Sequence, residues 1–423
     1  MSRPSPARLA TLLTLTVLFS IAATGNSFAQ TFQSILPFNG GVNQGYPETG
    51  LVSDGHGNLF GTTTGTKNNF GTVFELSPNA GGVLKLKTIY TFQGGADGAI
   101  PLGSLAIDPQ GNLFGATESG GLANLAACGN GSCGTVFELS PDGSGGWQKT
   151  TVHQFAGGSD GYSPAAGVTI DAAGNLYGTT YYGGGICNHS SAGCGTVFKI
   201  SPSAGEWKET IIRRFIVGEC LSCVYGALGG VVFDSQGNLY GTLSRGGPKG
   251  GGAVYQMTPS GNTWTYKVIH YFSLGSDGGS PTCTLAIDSL GRVFGTSGGG
   301  PHGNGVVFNL TLQSSGYWQP QVLHTFSGPD GGFPYAGVVL DAAGNIYGTG
   351  QNGGDQSCSS GCGVAFELQA VSQTSWTFVP LHQFSGTDGA YPNGLFLDGS
   401  GALYGTTVRG GRWLIGTVFK IQP

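Results

Sequence analysis

Three features of the 423-residue sequence predict an all-β fold, a seven-bladed β-propeller with four antiparallel strands per blade. One unit recurs seven times. Each copy holds four apolar β-type runs, and the run missing from the last copy is found at the N-terminus. The unit is marked by an Asp with an Asn four residues on, at Asp54/Asn58, Asp108/Asn112, Asp171/Asn175, Asp234/Asn238 and Asp341/Asn345. Two copies keep the Asp and change its partner, at Asp288/Arg292 and Asp398/Ala402. Successive Asp residues are 54, 63, 63, 54, 53 and 57 positions apart. Such periods exceed solenoid modules and suit propeller blades.

The four runs can be placed in order. Strand A ends at the Asp, as in Val231-Val232-Phe233, and its unbroken hydrophobicity suits a strand covered on both faces. Strand B follows a turn, as in Leu176-Tyr177-Gly178-Thr179-Thr180, and strand C is Gly-Thr-Val-Phe or close to it. Strand D opens on Trp and closes on Phe eight residues later: Trp147/Phe155, Trp207/Phe215, Trp264/Phe272, Trp318/Phe326 and Trp376/Phe384. In the first copy Leu84 stands in for the Trp, with Phe92 at the end. The seventh copy stops at Pro423, after strand C, whereas Gln30 to Phe38 keeps strand-D spacing at the other end. The N-terminal strand is therefore expected to complete the last blade, removing two free sheet edges. By analogy with other propellers, strand A would line the channel and strand D would lie outermost. The D–A and B–C connections would then share one face, and A–B and C–D the other.

Composition agrees with strands and tight turns: charged residues are 9% of the chain and Gly fills 81 positions. The formal charge is −5 without a Lys/Arg cluster, so neither nucleic acid nor an anionic membrane surface is an expected partner. Residues 1–29 read as a signal peptide. Arg3 and Arg8 precede an apolar run from Leu9 to Ala23, and Ser27 and Ala29 supply the small residues of a cleavage site. That run is short of the roughly 20 residues that span a bilayer. No other segment is long enough, so residues 30–423 are expected as one exported propeller without a transmembrane segment.

Variable loops on a uniform scaffold are the place to look for function. From the Gly of strand B to the Gly of strand C the seven connections span 10, 19, 17, 11, 10, 15 and 11 residues. The three longest carry cysteine pairs, Cys128/Cys133, Cys187/Cys194 and Cys358/Cys362, expected as local disulfides in an exported chain. Zinc is a poorer reading, since only His189 sits between such a pair. Cys220 and Cys223 replace the usual D–A motif of the fourth unit, and no helix is expected there to support redox chemistry. Cys283 is the odd ninth cysteine, either free or paired with Cys220 or Cys223.

A second Asp recurs in the D–A connections, at Asp97, Asp160, Asp277, Asp330 and Asp388, each followed by Gly. Asn43 takes the place in the first unit. These five are candidate ligand-binding residues, a ring of acceptors for Ca²⁺ or sugar hydroxyls. Tight Asp-Gly turns are the favoured explanation of them, and one carboxylate per blade does not make a Ca²⁺ cage. The Asp between strands A and B reads as an Asx-type turn. His153, His270, His324 and His382 share a strand-D position, two before the Phe, which indicates packing more than catalysis. The fixed register of the strand-D Trp residues likewise indicates blade packing over sugar stacking.

No nucleophile elbow, His-Glu-x-x-His or phosphate loop is present, and no cofactor motif or metal site is expected. Glu75, Glu138 and Glu367 share a strand-C position, while Glu48, Glu118, Glu206, Glu209 and Glu219 are scattered. Folding could join distant carboxylates into a glycosidase pair, although nothing in the spacing proposes one.

The unit Asp171–Thr180 together with Gly134–Pro141 resembles the GloVer tandem repeat of exported bacterial proteins. The resemblance runs through all seven units. It implies a secreted or cell-surface repeat protein, and it brings no activity or catalytic residues. Such proteins often end in an anchoring region, which the end at Pro423 leaves no room for. The leading expectation is a non-catalytic extracellular or periplasmic binding propeller for carbohydrate, protein or another extracellular polymer. A hydrolase or lyase with a pocket at the channel mouth is the second reading, and an adhesive repeat protein the third.

Overall fold

The structure, a computed structural model, describes residues 30–39, 45–65, 70–122, 128, 132–185, 193–216 and 229–423. The signal-peptide reading, Asn43, Cys187, His189, Cys220 and Cys223 lie outside them. Seven four-stranded sheets follow one another, six of them simple antiparallel meanders in chain order. In the seventh the N-terminal strand Thr31–Pro37 pairs with Thr417–Gln422, outside Leu403–Arg409 and Ala390–Leu397. The expected closure is therefore the observed one, and blades one to seven take strands A to D in the predicted order.

The N-terminal strand also copies the fine structure of strand D. Each strand D is bulged by one apolar residue against strand C: Ile89, Val152, Ile212, Ile269, Leu323 and Leu381. Ile35 is the bulged residue of the N-terminal strand. A bulge turns the strand so that residues on both sides of it face the next blade.

The repeat signature is a set of contacts that build one blade and tie it to its neighbour. The Gly of strand B makes room for the strand-C aromatic ring: a Cβ on Gly61 would lie 2.6 Å from Phe74, and one on Gly405 would lie 2.4 Å from Phe419. The Thr after it donates across to the next blade. Thr62, Thr179, Thr242, Thr296, Thr349 and Thr406 donate to the carbonyls of Pro101, Gly229, Cys283, Ala336, Asn393 and Thr49, at 2.8–3.2 Å. In blade two Ala116 stands at this place. The following Thr meets the first Thr of strand C, as in Thr63–Thr72 and Thr117–Thr135, both 2.8 Å. The A–B Asp is the predicted Asx turn. Asp171 Oδ1 accepts the amides of Ala173 and Asn175, and Oδ2 accepts the Asn175 side chain. Where Asn is absent, Arg292 Nε supplies the donor to Asp288.

Aromatic rings fill the seams between blades. The strand-D Phe of each blade meets the strand-C ring of the next at 5.0–5.4 Å, from Phe92–Phe137 round to Phe384–Phe419 and Phe38–Phe74. Each strand-D Trp meets a strand-B ring of the preceding blade edge-on at 5.8–6.2 Å, as in Trp147–Phe60. The packing role expected for these Trp residues is the one observed.

Strand A is shorter and less covered than its apolar run, such as Val231-Val232-Phe233, leads one to expect. In blades one, four, five and six only two residues join the ladder. Just before it, the chain offers its carbonyls to the preceding blade's Thr, so it leaves its own sheet toward the channel.

Phe38 is fully buried at the closing seam. Phe38→Ala should lower stability by about 3–5 kcal/mol, whereas Phe70→Ala, at a ring 50% exposed, should change it by less than about 0.5 kcal/mol. Urea unfolding of both variants checks this; equal effects would contradict the seam.

Candidate functional site

Antiparallel meanders put the D–A and B–C connections on one face. Two of the enlarged B–C loops carry the expected disulfides, Cys128–Cys133 and Cys358–Cys362. Cys194 is disulfide-bonded as well, its expected partner lying outside the described residues. Cys283 is free and buried; its thiol donates to the Thr296 carbonyl and accepts the Thr296 amide, each at 3.2 Å. Burial raises its pKa, as for an inert core thiol.

The five D–A aspartates do not converge. Each closes its own loop by accepting a backbone amide three or four residues earlier: Gln93 to Asp97, Ala156 to Asp160, Ser273 to Asp277, Ser327 to Asp330 and Ser385 to Asp388. Each also meets the residue two before the strand-D Phe. Tyr90 donates to Asp97 at 2.7 Å, and His324 and His382 stand 2.9 and 2.8 Å from Asp330 and Asp388. His153–Asp160 and His270–Asp277 are looser, at 3.5 and 3.4 Å. The recurring His is thus the outer-strand partner of the recurring Asp. Burial works against the Asp330 and Asp388 charges, but the Ser amides and the His partners outweigh it, so both carboxyls sit below their usual range. Burial holds His270 and His324 below the usual imidazole value despite the adjacent Asp.

What does converge is the channel mouth. A cavity of about 580 Å³ opens among the starts of the A strands, within the range of roughly 300–1,000 Å³ usual for small-ligand sites. Much of its wall is backbone and small side chains, including Gly50, Ser104, Ala166, Thr284 and Gly394. Tyr335, Gln351, Asn393 and Glu48 stand at it as larger polar or aromatic groups. Tyr335 is 46% exposed, so its ring is presented to solvent and not spent on the core. Asn393 donates to the Pro47 carbonyl at 2.8 Å, which fixes its amide at the rim.

Glu48 lines the cavity and is exposed there, yet protein packs near enough to its carboxyl to displace part of its hydration. That partial desolvation raises its pKa, and the nearby Glu118 adds to the rise; Arg409 and the Thr64 hydroxyl oppose it. Glu118 in turn accepts from Ser163 at 3.3 Å, and the Arg409 guanidinium lies 5.7 Å from the Tyr46 ring. Glu48 and Glu118 were scattered singles in the sequence. They come from different blades, so no linear spacing could have paired them.

The repeat model of the Gloeobacter/Verrucomicrobia family matches residues 125–281 and 226–423, more than half of the chain. The chain belongs to this family. Among solved structures the repeat protein is similar to a candidate 6-phosphogluconolactonase from Bacteroides uniformis, with 14% identity, a TM-score of 0.51 and coverage of 82% of this chain and 88% of that one. It is also similar to a protein from Lactobacillus plantarum, with 14% identity, a TM-score of 0.53 and coverage of 83% and 89%. At this identity the likeness is one of fold. No curated protein matches the chain.

For this Gloeobacter/Verrucomicrobia repeat protein, the electrostatics of the mouth can be read directly. A carbon-detected NMR titration should place the Glu48 midpoint above 4.5, the ordinary value. Glu118→Gln removes a like charge and should move it down, whereas Arg409→Ala removes a favourable one and should move it up. A Glu48 midpoint indifferent to both would contradict the cluster.

Proposed function

We propose that the protein is an exported, non-catalytic propeller that binds a neutral carbohydrate at the channel mouth. The observation that carries this reading is the cavity that Tyr335 borders, with hydroxyl and amide groups around it. An exposed ring supplies a stacking platform for a sugar face, and hydroxyls and amides match its O–H groups. The chain's low charge and net −5 favour a neutral polymer over an anionic one. The enlarged B–C loops open on the same face, and there Phe70 and Trp413 are also half-exposed. Export is supported by the disulfides and by the leader-like sequence of residues 1–29. Asp97, Asp160, Asp277, Asp330 and Asp388 serve the site indirectly in this reading, as fasteners of the loops around it.

Isothermal titration against a panel of neutral oligosaccharides tests it. A saturable ligand should be found whose affinity falls at least about tenfold, or 1.4 kcal/mol, with Tyr335→Ala. Tyr317→Ala, an exposed ring on the opposite face, should leave it unchanged. Equal losses, or no ligand in the panel, would overturn the proposal.

Glu48 supports a second reading, a glycoside hydrolase or lyase. A carboxyl with a raised pKa beside a second carboxylate is the chemistry of a general acid. Turnover of a bound glycan that Glu48→Gln abolishes while binding persists would favour it.

A further inference from the structure

The seams between blades repeat one contact on the outer wall. The residue two before the strand-D Phe faces the residue two after the Trp position in the next blade's strand D. Between blades one and two, Lys149 meets Tyr90 and Asp97, with an ion pair of 2.8 Å. Between three and four the Arg213 guanidinium lies 4.1 Å from the Tyr266 ring. His324 stacks on Phe378 at 4.1 Å and His382 on Phe32 at 3.5 Å in the fifth and sixth seams. Each of these seams is closed by an ion pair, a cation–π contact or stacked rings.

The seam between blades two and three breaks the pattern. At the place where its neighbour carries Lys149 it carries Glu209, opposite His153 and Asp160. Two carboxylates and an imidazole face one another, and their nearest atoms all lie within 4.8 Å. His153 Nε2 is 3.5 Å from Asp160 Oδ2 and 3.7 Å from Glu209 Oε1. Both His153 Nε2 and Glu209 Oε1 are inaccessible to solvent and have no hydrogen-bond partner, an arrangement that costs stability unless something else is shared between them. The adjacent cation, Arg214, is engaged by its Nε with the Ser159 carbonyl at 3.0 Å.

We propose that His153 Nε2, Asp160 Oδ2 and Glu209 Oε1 form a divalent transition-metal site of the Zn²⁺ class on the outer wall of the ring. Zn²⁺ bonds of 2.0–2.2 Å to nitrogen and oxygen in a tetrahedron put its ligands about 3.4 Å apart. The separations of 3.5 and 3.7 Å fit that figure with little movement. Neutral imidazole and two carboxylates balance the charge of the ion. The Ala156 amide, 2.6 Å from Asp160 Oδ2, orients one ligand from behind, as outer-shell donors do. His153 and Glu209 are 21% and 14% exposed, so the site lies close beneath the surface, and a fourth ligand would be a water or another donor admitted there. The site joins two blades, so an ion there would pin a seam in which two carboxylates otherwise face one another.

The test uses full-length protein stripped with chelator and titrated with Zn²⁺ alone. One saturable site per chain and a rise in Tm are expected. Glu209→Gln, which keeps the size of the side chain, should weaken binding at least tenfold and abolish the Tm rise, with an unchanged circular dichroism spectrum as the folding control. His382→Ala, in a seam whose third residue is Phe32, should bind Zn²⁺ as the parent does. Co²⁺ in place of Zn²⁺ should give the intense visible bands of a tetrahedral centre. Absence of stoichiometric binding would mean that a proton shared by Asp160 and Glu209 holds the seam instead, and would overturn the proposal. Binding unaffected by Glu209→Gln would overturn it too.

Discussion

The contact between Phe38 and Phe74, across the pairing of Thr31–Pro37 with Thr417–Gln422, turns a row of sheets into a ring. Every blade buries its strand-D Phe against the strand C of the next, so a row of blades leaves one aromatic socket uncovered at one end and one exposed edge at the other. Closure removes both. It depends on a strand far from its sheet in sequence, and the chain meets that demand by giving the N-terminal segment the length, bulge and terminal Phe of strand D. The channel, its mouth and the grouping of loops on one face all follow from the closed ring.

The same economy explains why the repeat signature is so constant. In Gly-Thr-Thr the Gly accommodates a ring of its own blade, the first Thr reaches the next blade's backbone, and the second Thr joins strand B to strand C. A substitution of the first Thr affects two blades at once. Variation is accordingly concentrated at positions outside this signature. These are the B–C loops, the rim of the channel, and the outer-wall position occupied in turn by Lys149, Glu209, Tyr266, Pro320, Phe378 and Phe32.

Legibility in the sequence followed the same division. The ring, the strand order and the closing strand could be read because they rest on periodicity and on local patterns such as Asp171-x-x-Gly174-Asn175. The Asx turn and the Trp packing were readable for the same reason. The pairing of His324 with Asp330 was half visible: both recur, but only coordinates show that the turn folds the Asp back onto strand D. The short A strands were not foreseen, because hydrophobicity alone does not reveal that their carbonyls are taken by the neighbouring blade. Glu48 with Glu118, and His153 with Glu209, were invisible as sites. Their partners lie in another blade, and although His153 recurs with His270, His324 and His382, Glu209 is the one Glu at its strand-D position, so neither spacing nor repetition marks the pairs.

The ring itself can be tested without reference to any ligand. Gln33 and Lys420 are directly paired across the closing strands. A Gln33→Cys, Lys420→Cys double variant, mildly oxidised and digested without reduction, should yield one peptide joining the two ends of a single monomeric chain. Peptides that remain unjoined, or that are joined only between two chains in a dimer, would contradict closure by the N-terminal strand.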